Sequence, residues 1–299
     1  MSASRPIVRA SRETPDQAAG LRVVRRHAKV VPLHPVNGGG SGSGPVRTFA
    51  VTSGKGGVGK TQLSANLAVA LAKRGLKVLL LDADLGLASL DLALGLRPED
   101  DLRSVVRGER AIEEILCDGP LGIKLVPACP GRYDMANMSA RERQRLNRAV
   151  QDLAASFDAL IIDTGAGIGS NAVAFAASAD EVLLVVTPDP TSMRDAYAMA
   201  KVLHRRSGVD RVHIVANQVS SDREGSEMHQ RIEGIVQRFL ALELRYLGAI
   251  PFDDDVRAGV AAGEPYVLSN PSGPAGRAVD GLARRLFPDS SPSPMREAL

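Results

Sequence analysis

Short apolar runs recur along the chain: Thr48-Phe49-Ala50-Val51-Thr52, Lys77 to Asp82, Ile123 to Pro127, Ala159 to Asp163, Val182 to Val186, Val212 to Ala216 and Tyr246 to Ile250. They are rich in Val, Ile and Leu and do not alternate with polar residues, the pattern of strands buried on both faces. Between them lie segments of helical composition. One runs from Gln62 to Lys73 and is closed by Gly75; another opens at Ser139-Ala140-Arg141-Glu142, a capping box, and runs toward Ala155; a last one covers Pro274 to Phe287. Strand and helix alternate without a long break over residues 46–287, which predicts one α/β domain: a single doubly wound, mostly parallel sheet with helices on both faces.

The first strand runs into Gly54-Lys55-Gly56-Gly57-Val58-Gly59-Lys60-Thr61, followed by the Gln62 helix. This is G-x-x-x-x-G-K-[ST] in the strand, loop, helix context that a nucleotide-phosphate loop requires, so the sheet is of the P-loop NTPase type. Glycines leave backbone N–H groups free to converge on a polyanion, and the helix adds the positive end of its dipole. Lys60 would reach the β and γ oxygens and Thr61 the Mg²⁺. Gly54, Gly56 and Gly59 also spell the dinucleotide pattern G-x-G-x-x-G, with Asp82 near the spacing of a ribose-binding acid. That reading has no use for Lys60-Thr61 directly after the last glycine, and the phosphate loop is preferred.

Two acidic segments follow buried strands, where a parallel sheet would bring them to the loop. Asp163 ends the Ala159 strand in the manner of an acid that holds Mg²⁺, and the glycine-rich stretch after it, residues 164–169, allows a backbone N–H at Gly167 to approach a γ-phosphate. Asp82-Ala83-Asp84 ends the Lys77 strand, and alternate carboxylates in a loop can face one centre. Their competing role is to cap the next helix. The expected metal set is Thr61, Asp82, Asp84 and Asp163.

Composition narrows the context. Hydrophobic residues make up 44% and charged residues 24% of 299, ordinary for a soluble domain, and no apolar run nears the roughly 18 residues of a membrane helix. The N-terminus lacks the apolar core of a secretory signal. Cys117 and Cys129 have no metal-ligand spacing and read as reduced thiols of a cytoplasmic protein; the five histidines form no ligand cluster. Net charge is +3, yet residues 1–45 hold Arg5, Arg9, Arg12, Arg22, Arg25, Arg26 and Lys29 against Glu13 and Asp16. The basic excess therefore sits in that stretch, the body is near neutral, and the pI is no argument for nucleic acid as its partner.

Residues 1–31 have too few apolar positions for a core and read as a flexible basic segment. Within it Asp16-Gln17-Ala18-Ala19-Gly20-Leu21-Arg22 can form a brief helix with Ala18 and Leu21 on one side. Residues 32–45 form a Gly/Ser/Pro linker, with a reach of about 20 Å, and residues 288–299 a short tail expected to be disordered.

The body resembles the MinD/ParA ATPases with the deviant Walker A motif, whose signature is the additional lysine, here Lys55. The resemblance implies ATP and Mg²⁺ as ligands and an ATP-sandwiched homodimer in which Lys55 crosses to the partner's nucleotide. It implies that Leu81-Asp82-Ala83-Asp84-Leu85-Gly86-Leu87 is switch I, with Asp84 positioning the attacking water alongside Lys55 and Lys60 in catalysis. Asp163-Thr164-Gly165-Ala166-Gly167-Ile168 is similar to switch II, though Gly165 stands where proline or alanine is common. Asn217 and the Ile250-Pro251-Phe252-Asp253 segment match parts that hold adenine. Gln62, in place of a second threonine, removes a hydroxyl near the α-phosphate.

Asp16, Gln17, Leu21 and Arg22 fall in a segment similar to Asp-Gln-Ala-x-x-Leu-Arg of the FlhG/FleN (YlxH) regulators of flagellar number and placement. The resemblance implies a signal-recognition-type flagellar GTPase (FlhF-like) as partner, stimulated by that segment, and flagellar C-ring or transcriptional regulator proteins as further partners. It implies a cytoplasmic protein with at most weak, peripheral contact with the inner membrane or cell pole. The alternatives are a MinD-like division-site regulator and a ParA-like DNA-partition ATPase, for which Arg205, Arg206, Arg277, Arg284 and Arg285 are the candidate phosphate contacts; a metallocluster enzyme of the nitrogenase iron-protein kind lacks its cysteine pattern.

Overall fold

A computed structural model describes residues 45–128, 135 and 138–288. The segment 16–22, the linker up to residue 44, Cys129 and the tail after Pro288 lie outside the described residues. The strands are β1 (Arg47–Thr52), β2 (Val78–Ala83), β3 (Cys117–Asp118), β4 (Lys124–Val126), β5 (Ala159–Thr164), β6 (Glu181–Val186), β7 (Arg211–Val219) and β8 (Glu243–Pro251). They form one sheet in the order β3-β4-β2-β5-β1-β6-β7-β8. All neighbours are parallel except β3 with β4.

The apolar runs explain the layering. Successive side chains of a strand point to opposite faces; in β1, Ala50 enters one core and Phe49 and Val51 the other. The first core is closed by helices Leu102–Arg107, Ala140–Ala154, Ser170–Ala176, Pro190–Ser207 and Asp222–Phe239, the second by Lys60–Lys73 and Pro274–Leu286. The expected capping box is present: Glu142 N–H donates to Ser139 Oγ (3.3 Å) and Ser139 N–H to Glu142 Oε2 (2.7 Å). The helix Pro274–Leu286 buries Ala275, Val279, Leu282 and Leu286 against the sheet.

Four features differ from what the sequence predicts. β3 is an added antiparallel edge strand, and the runs near 212 and 246 are longer than expected. β8 is not buried on both faces, because it forms the other edge and exposes Glu243 and Arg245 in an alternating first half. Arg285, exposed in the last turn of helix Pro274–Leu286, is tied to the sheet. Its Nη1 bonds Leu247 O and occupies the space where a Cβ on Gly248 would stand. His204, His213 and His229 contact Val209 O, Glu181 and Leu244 O respectively.

β1 is central, its two neighbours come from later in the chain, and the strands are added first on the β2 side of it and then, after the crossover from β5 to β6, on the other. Its C-terminal end is therefore the crevice where an open parallel sheet receives ligands. Its N-terminal end, at Arg47, lies at the opposite edge, where the Arg47 guanidinium bonds Glu181 and Leu286 O.

Candidate active site

The loop between β1 and helix Lys60–Lys73 occupies that crevice. Gly57 (φ 78°) and Gly59 (φ 91°) adopt left-handed backbone that other residues resist. Gly59 is also the N-cap, and no side chain caps this helix, so its first N–H groups are left to a ligand. Gly54 is required for a different reason: a Cβ there would lie 2.1 Å from the backbone carbon of Asp195, in helix Pro190–Ser207. Gly54→Ala must push that helix away, so a loss of about 3 kcal/mol of stability is expected, measurable as a lower urea midpoint with nucleotide binding lost in parallel.

Lys60 is buried at 7% exposure beside equally enclosed carboxylates. Asp163 accepts from Thr61 Oγ1 (2.7 Å, at Oδ2) and from Ser64 Oγ (3.0 Å, at Oδ1). Asp82 lies in register with Asp163 on the adjacent strand. Its Oδ1 accepts from Asp84 N–H and its Oδ2 from Ser89 and Leu90 N–H, each at 3.1 Å. Burial pushes both carboxyls up; the Asp163 charge raises Asp82 further, whereas Lys60, Thr61 and Ser64 hold Asp163 back. Two buried like charges, of which Asp163 is countered by Lys60, form an all-oxygen site that a further cation would relieve. The donor set fits Mg²⁺: Thr61 and Asp163 would hold it, with Asp82 adding charge from behind. Among the described residues no group of three or more His, Cys, Asp or Glu side chains forms a cage, as is usual where phosphates and water complete the shell.

Other expected site residues take different positions. Asp82 also caps helix Leu90–Ala93 through Ser89 and Leu90, so the capping role weighed for the acids is real and coexists with the electrostatic one. Asp84 turns back on its own loop, accepting from Leu87 N–H at 3.1 Å and Gly86 N–H at 3.4 Å, and lies 3.5 Å from where a Gly165 Cβ would be. Its carboxylate is thus beside Asp163, which it raises, but is not joined to it. Gly167 N–H, expected at a γ-phosphate, donates instead to Ser53 O at 2.9 Å, because the left-handed turn at Gly167 folds the segment onto the start of the phosphate loop. Lys55 is turned away from its own cradle: Nζ pairs with Asp189 and donates to Thr191 Oγ1 at 2.9 Å. That contact holds the Asp189 carboxyl well below the usual range, at the N-cap of helix Pro190–Ser207.

Beside the loop opens a cavity of about 470 Å³ lined by Gln62, Asn217, Pro251, Val256 and Tyr266 among others. Gln62, Asn217 and Pro251 therefore line one cavity together with Gly57 and Gly59 of the phosphate loop. Sequence reasoning did not find Gln218, Asn66 or Tyr266. Gln218 has a left-handed φ of 59° at a break in the β7–β8 register. Asn66, fully buried, donates to Gln62 O (2.8 Å) and accepts from Val267 N–H (3.0 Å), fastening helix Lys60–Lys73 to the cavity floor. An asparagine inside an otherwise apolar helix face was the available signal.

Comparison with known proteins places this geometry. The antiactivator FleN of Pseudomonas aeruginosa is 42% identical over 250 residues, 84% of this chain and 89% of that protein. The flagellum site-determining protein YlxH of Helicobacter pylori is 38% identical over 208 residues, 69% of this chain and 70% of its own length. The septum site-determining protein MinD of Pyrococcus horikoshii, solved in complex with Mg-ADP, is 25% identical, with a TM-score of 0.68 over 81% of this chain and 96% of that one. The family model for the CobQ/CobB/MinD/ParA nucleotide-binding domain matches residues 49–266. With the phosphate loop, both buried acids and the adjoining cavity all inside that span, the chain belongs to this family and is an ATPase of its MinD/ParA type.

Proposed function

We propose that the chain is an ATP-dependent dimerising switch that regulates the number and placement of bacterial flagella and stimulates a signal-recognition-type GTPase. The observation that carries the dimer is Lys55. A lysine inside a phosphate loop that faces outward, on half-exposed Asp189 and Thr191 rather than inward, is available to the nucleotide of a second copy. Support for the flagellar role comes from FleN and YlxH together with residues 16–22.

Within one subunit, Lys60 and the loop N–H groups hold the ATP phosphates, and the cavity holds the base. Asn217 Oδ1 suits the exocyclic amine of adenine, since its amide nitrogen is engaged elsewhere. Mg²⁺, when bound at Thr61 and Asp163, supplies positive charge to the β and γ oxygens. Asp84 leaves the Gly86 and Leu87 N–H groups to orient a water in line with the γ-phosphorus. The water oxygen forms the new P–O bond while the bond to the ADP oxygen breaks and the water's proton passes to an oxygen of the released phosphate, giving ADP and inorganic phosphate. Exposed Leu87 and Ile168, in the loops carrying Asp84 and Gly167, suit the face that closes on a partner.

The division-site and partition readings draw less support. Helix Pro274–Leu286 places its apolar face in the core rather than toward lipid, Arg284 pairs with Asp280, and Arg285 serves Leu247. Among the described residues no helix is long and apolar enough to cross a membrane. The reading places the protein in the cytoplasm, with peripheral contact at the inner membrane or pole through its partners, among them C-ring and transcriptional regulator proteins.

Two measurements test this. Lys55→Ala should bind ATP within about threefold of wild type yet fail to dimerise by light scattering in saturating MgATP, because the contact to the second subunit is lost along with the exposed pair to Asp189 while Lys60 and the loop N–H groups are kept; a variant that dimerises normally refutes the cross-subunit role. A peptide of residues 1–31 should accelerate GTP turnover by an FlhF-like GTPase, and the Gln17→Ala peptide should bind but stimulate little, since Gln17 supplies the amide that orients water. A wild-type peptide that neither binds nor accelerates refutes the partner.

A further inference from the structure

At the end of β7, Asn217 Nδ2 lies 2.7 Å from Val58 O, 159 residues away in the chain. Only an amide N–H₂ can face a carbonyl at that distance, so the side-chain orientation is fixed by chemistry. The contact is enclosed: Asn217 is 9% exposed and Val58 2%. It is also tight, since a Cβ on Gly59 would stand 2.4 Å from Asn217 Nδ2. The glycine before Lys60 therefore leaves room for Asn217 as well as supplying its positive φ.

β7 is shaped to deliver that side chain. Its pairing with β8 runs Asn217 to Ile250 and then jumps to Val219 with Pro251, leaving Gln218 as an extra residue with φ 59°. An irregularity of this kind re-aims the neighbouring side chain. Val58 O lies between Gly57 and Gly59, both in left-handed backbone, where the loop has no regular secondary structure to hold its peptide planes. Fixing that carbonyl fixes the peptide whose N–H belongs to Gly59, and with it the turn that aims Lys60.

We propose that Asn217 is a positioning residue of the phosphate loop: its amide holds the Val58–Gly59 peptide so that the loop is shaped for polyphosphate before a base enters the cavity. This rests on the ATP-binding reading of the site and adds to it a function for Asn217 that involves no base. The side chain joins the two halves of the nucleotide site, with its nitrogen on the loop and its oxygen toward the cavity.

A ligand without a base separates the two roles. Magnesium tripolyphosphate and ATP are titrated against the full chain as wild type, Asn217→Ala and Asn217→Ser, the serine keeping a polar end without the reach to Val58 O. Each variant is first checked by thermal melting. Tripolyphosphate affinity is expected to fall about tenfold in both variants, the size of one lost hydrogen bond in an enclosed site, and ATP affinity to fall further. If both variants hold tripolyphosphate as well as wild type while losing ATP, Asn217 serves the base alone and the proposal is overturned. Wild type that binds ATP but not tripolyphosphate also overturns it, because a loop shaped in advance would bind phosphates by themselves. Wild type that binds neither overturns the ATP reading itself.

Discussion

Lys60→Ala is expected to lower MgATP affinity by about 100-fold or more, on the order of 3 kcal/mol, the cost of leaving buried opposite charges without their partner. The structure makes this residue more than a phosphate ligand. Lys60 is the cation that holds the buried Asp163 carboxyl down against its own burial and the neighbouring acids, so without it Asp163 moves further up and takes up a proton more readily. The variant should therefore lose Mg²⁺ along with nucleotide. Isothermal titration reads the affinity, and a variant within threefold of wild type would contradict the arrangement.

Asp84→Ala is expected to cut ATP turnover about 100-fold while leaving ATP binding nearly unchanged, the scale at which a positioned acid-base or water-orienting group contributes. Under the proposed cycle it accumulates as an ATP-bound dimer. The carboxylate now folds onto Gly86 and Leu87 N–H, so a purely structural role in that turn has to be separated from a catalytic one. Asp84→Asn does this, since an amide oxygen can still accept from those N–H groups but handles the water proton poorly. Turnover restored by asparagine would assign Asp84 to the loop; turnover still lost assigns it to the water.

Much of this site was legible because its signals are local. The strand, the glycine loop and Lys60-Thr61 are contiguous, and an apolar run ending in Asp163 or Asp82 announces an acid at the C-terminal edge of a parallel sheet. What was not legible depends on contacts between distant segments. Nothing near Gly54 says that Asp195 will pack on it, and nothing near Lys55 points to Asp189. The use of Asn217 to hold Val58 follows from a bulge at Gln218 that no turn signature announces. Gly167 shows the opposite limit, for its glycine was read as freeing a backbone N–H for a γ-phosphate, but that N–H is taken by Ser53 O. Edge position was equally hidden: β8 and an interior strand share composition in their apolar half, and only the strand order exposes Glu243 and Arg245.

The direction of β1 carries one more consequence. Its phosphate end is at Thr52 and its entry is at Arg47, the two ends of a six-residue strand and about 17 Å apart. Residues 16–22 are joined at the entry, remote from the surface that would close around ATP. In the proposed dimer, closed at the phosphate end of β1, both copies of that segment would be attached at the other end of the strand. The ATP state would then differ from the monomer in valence: two tethered segments on one particle raise the local concentration of the second after the first has bound. ATP could in this way change how long a two-site partner is retained without altering any contact that residues 16–22 make.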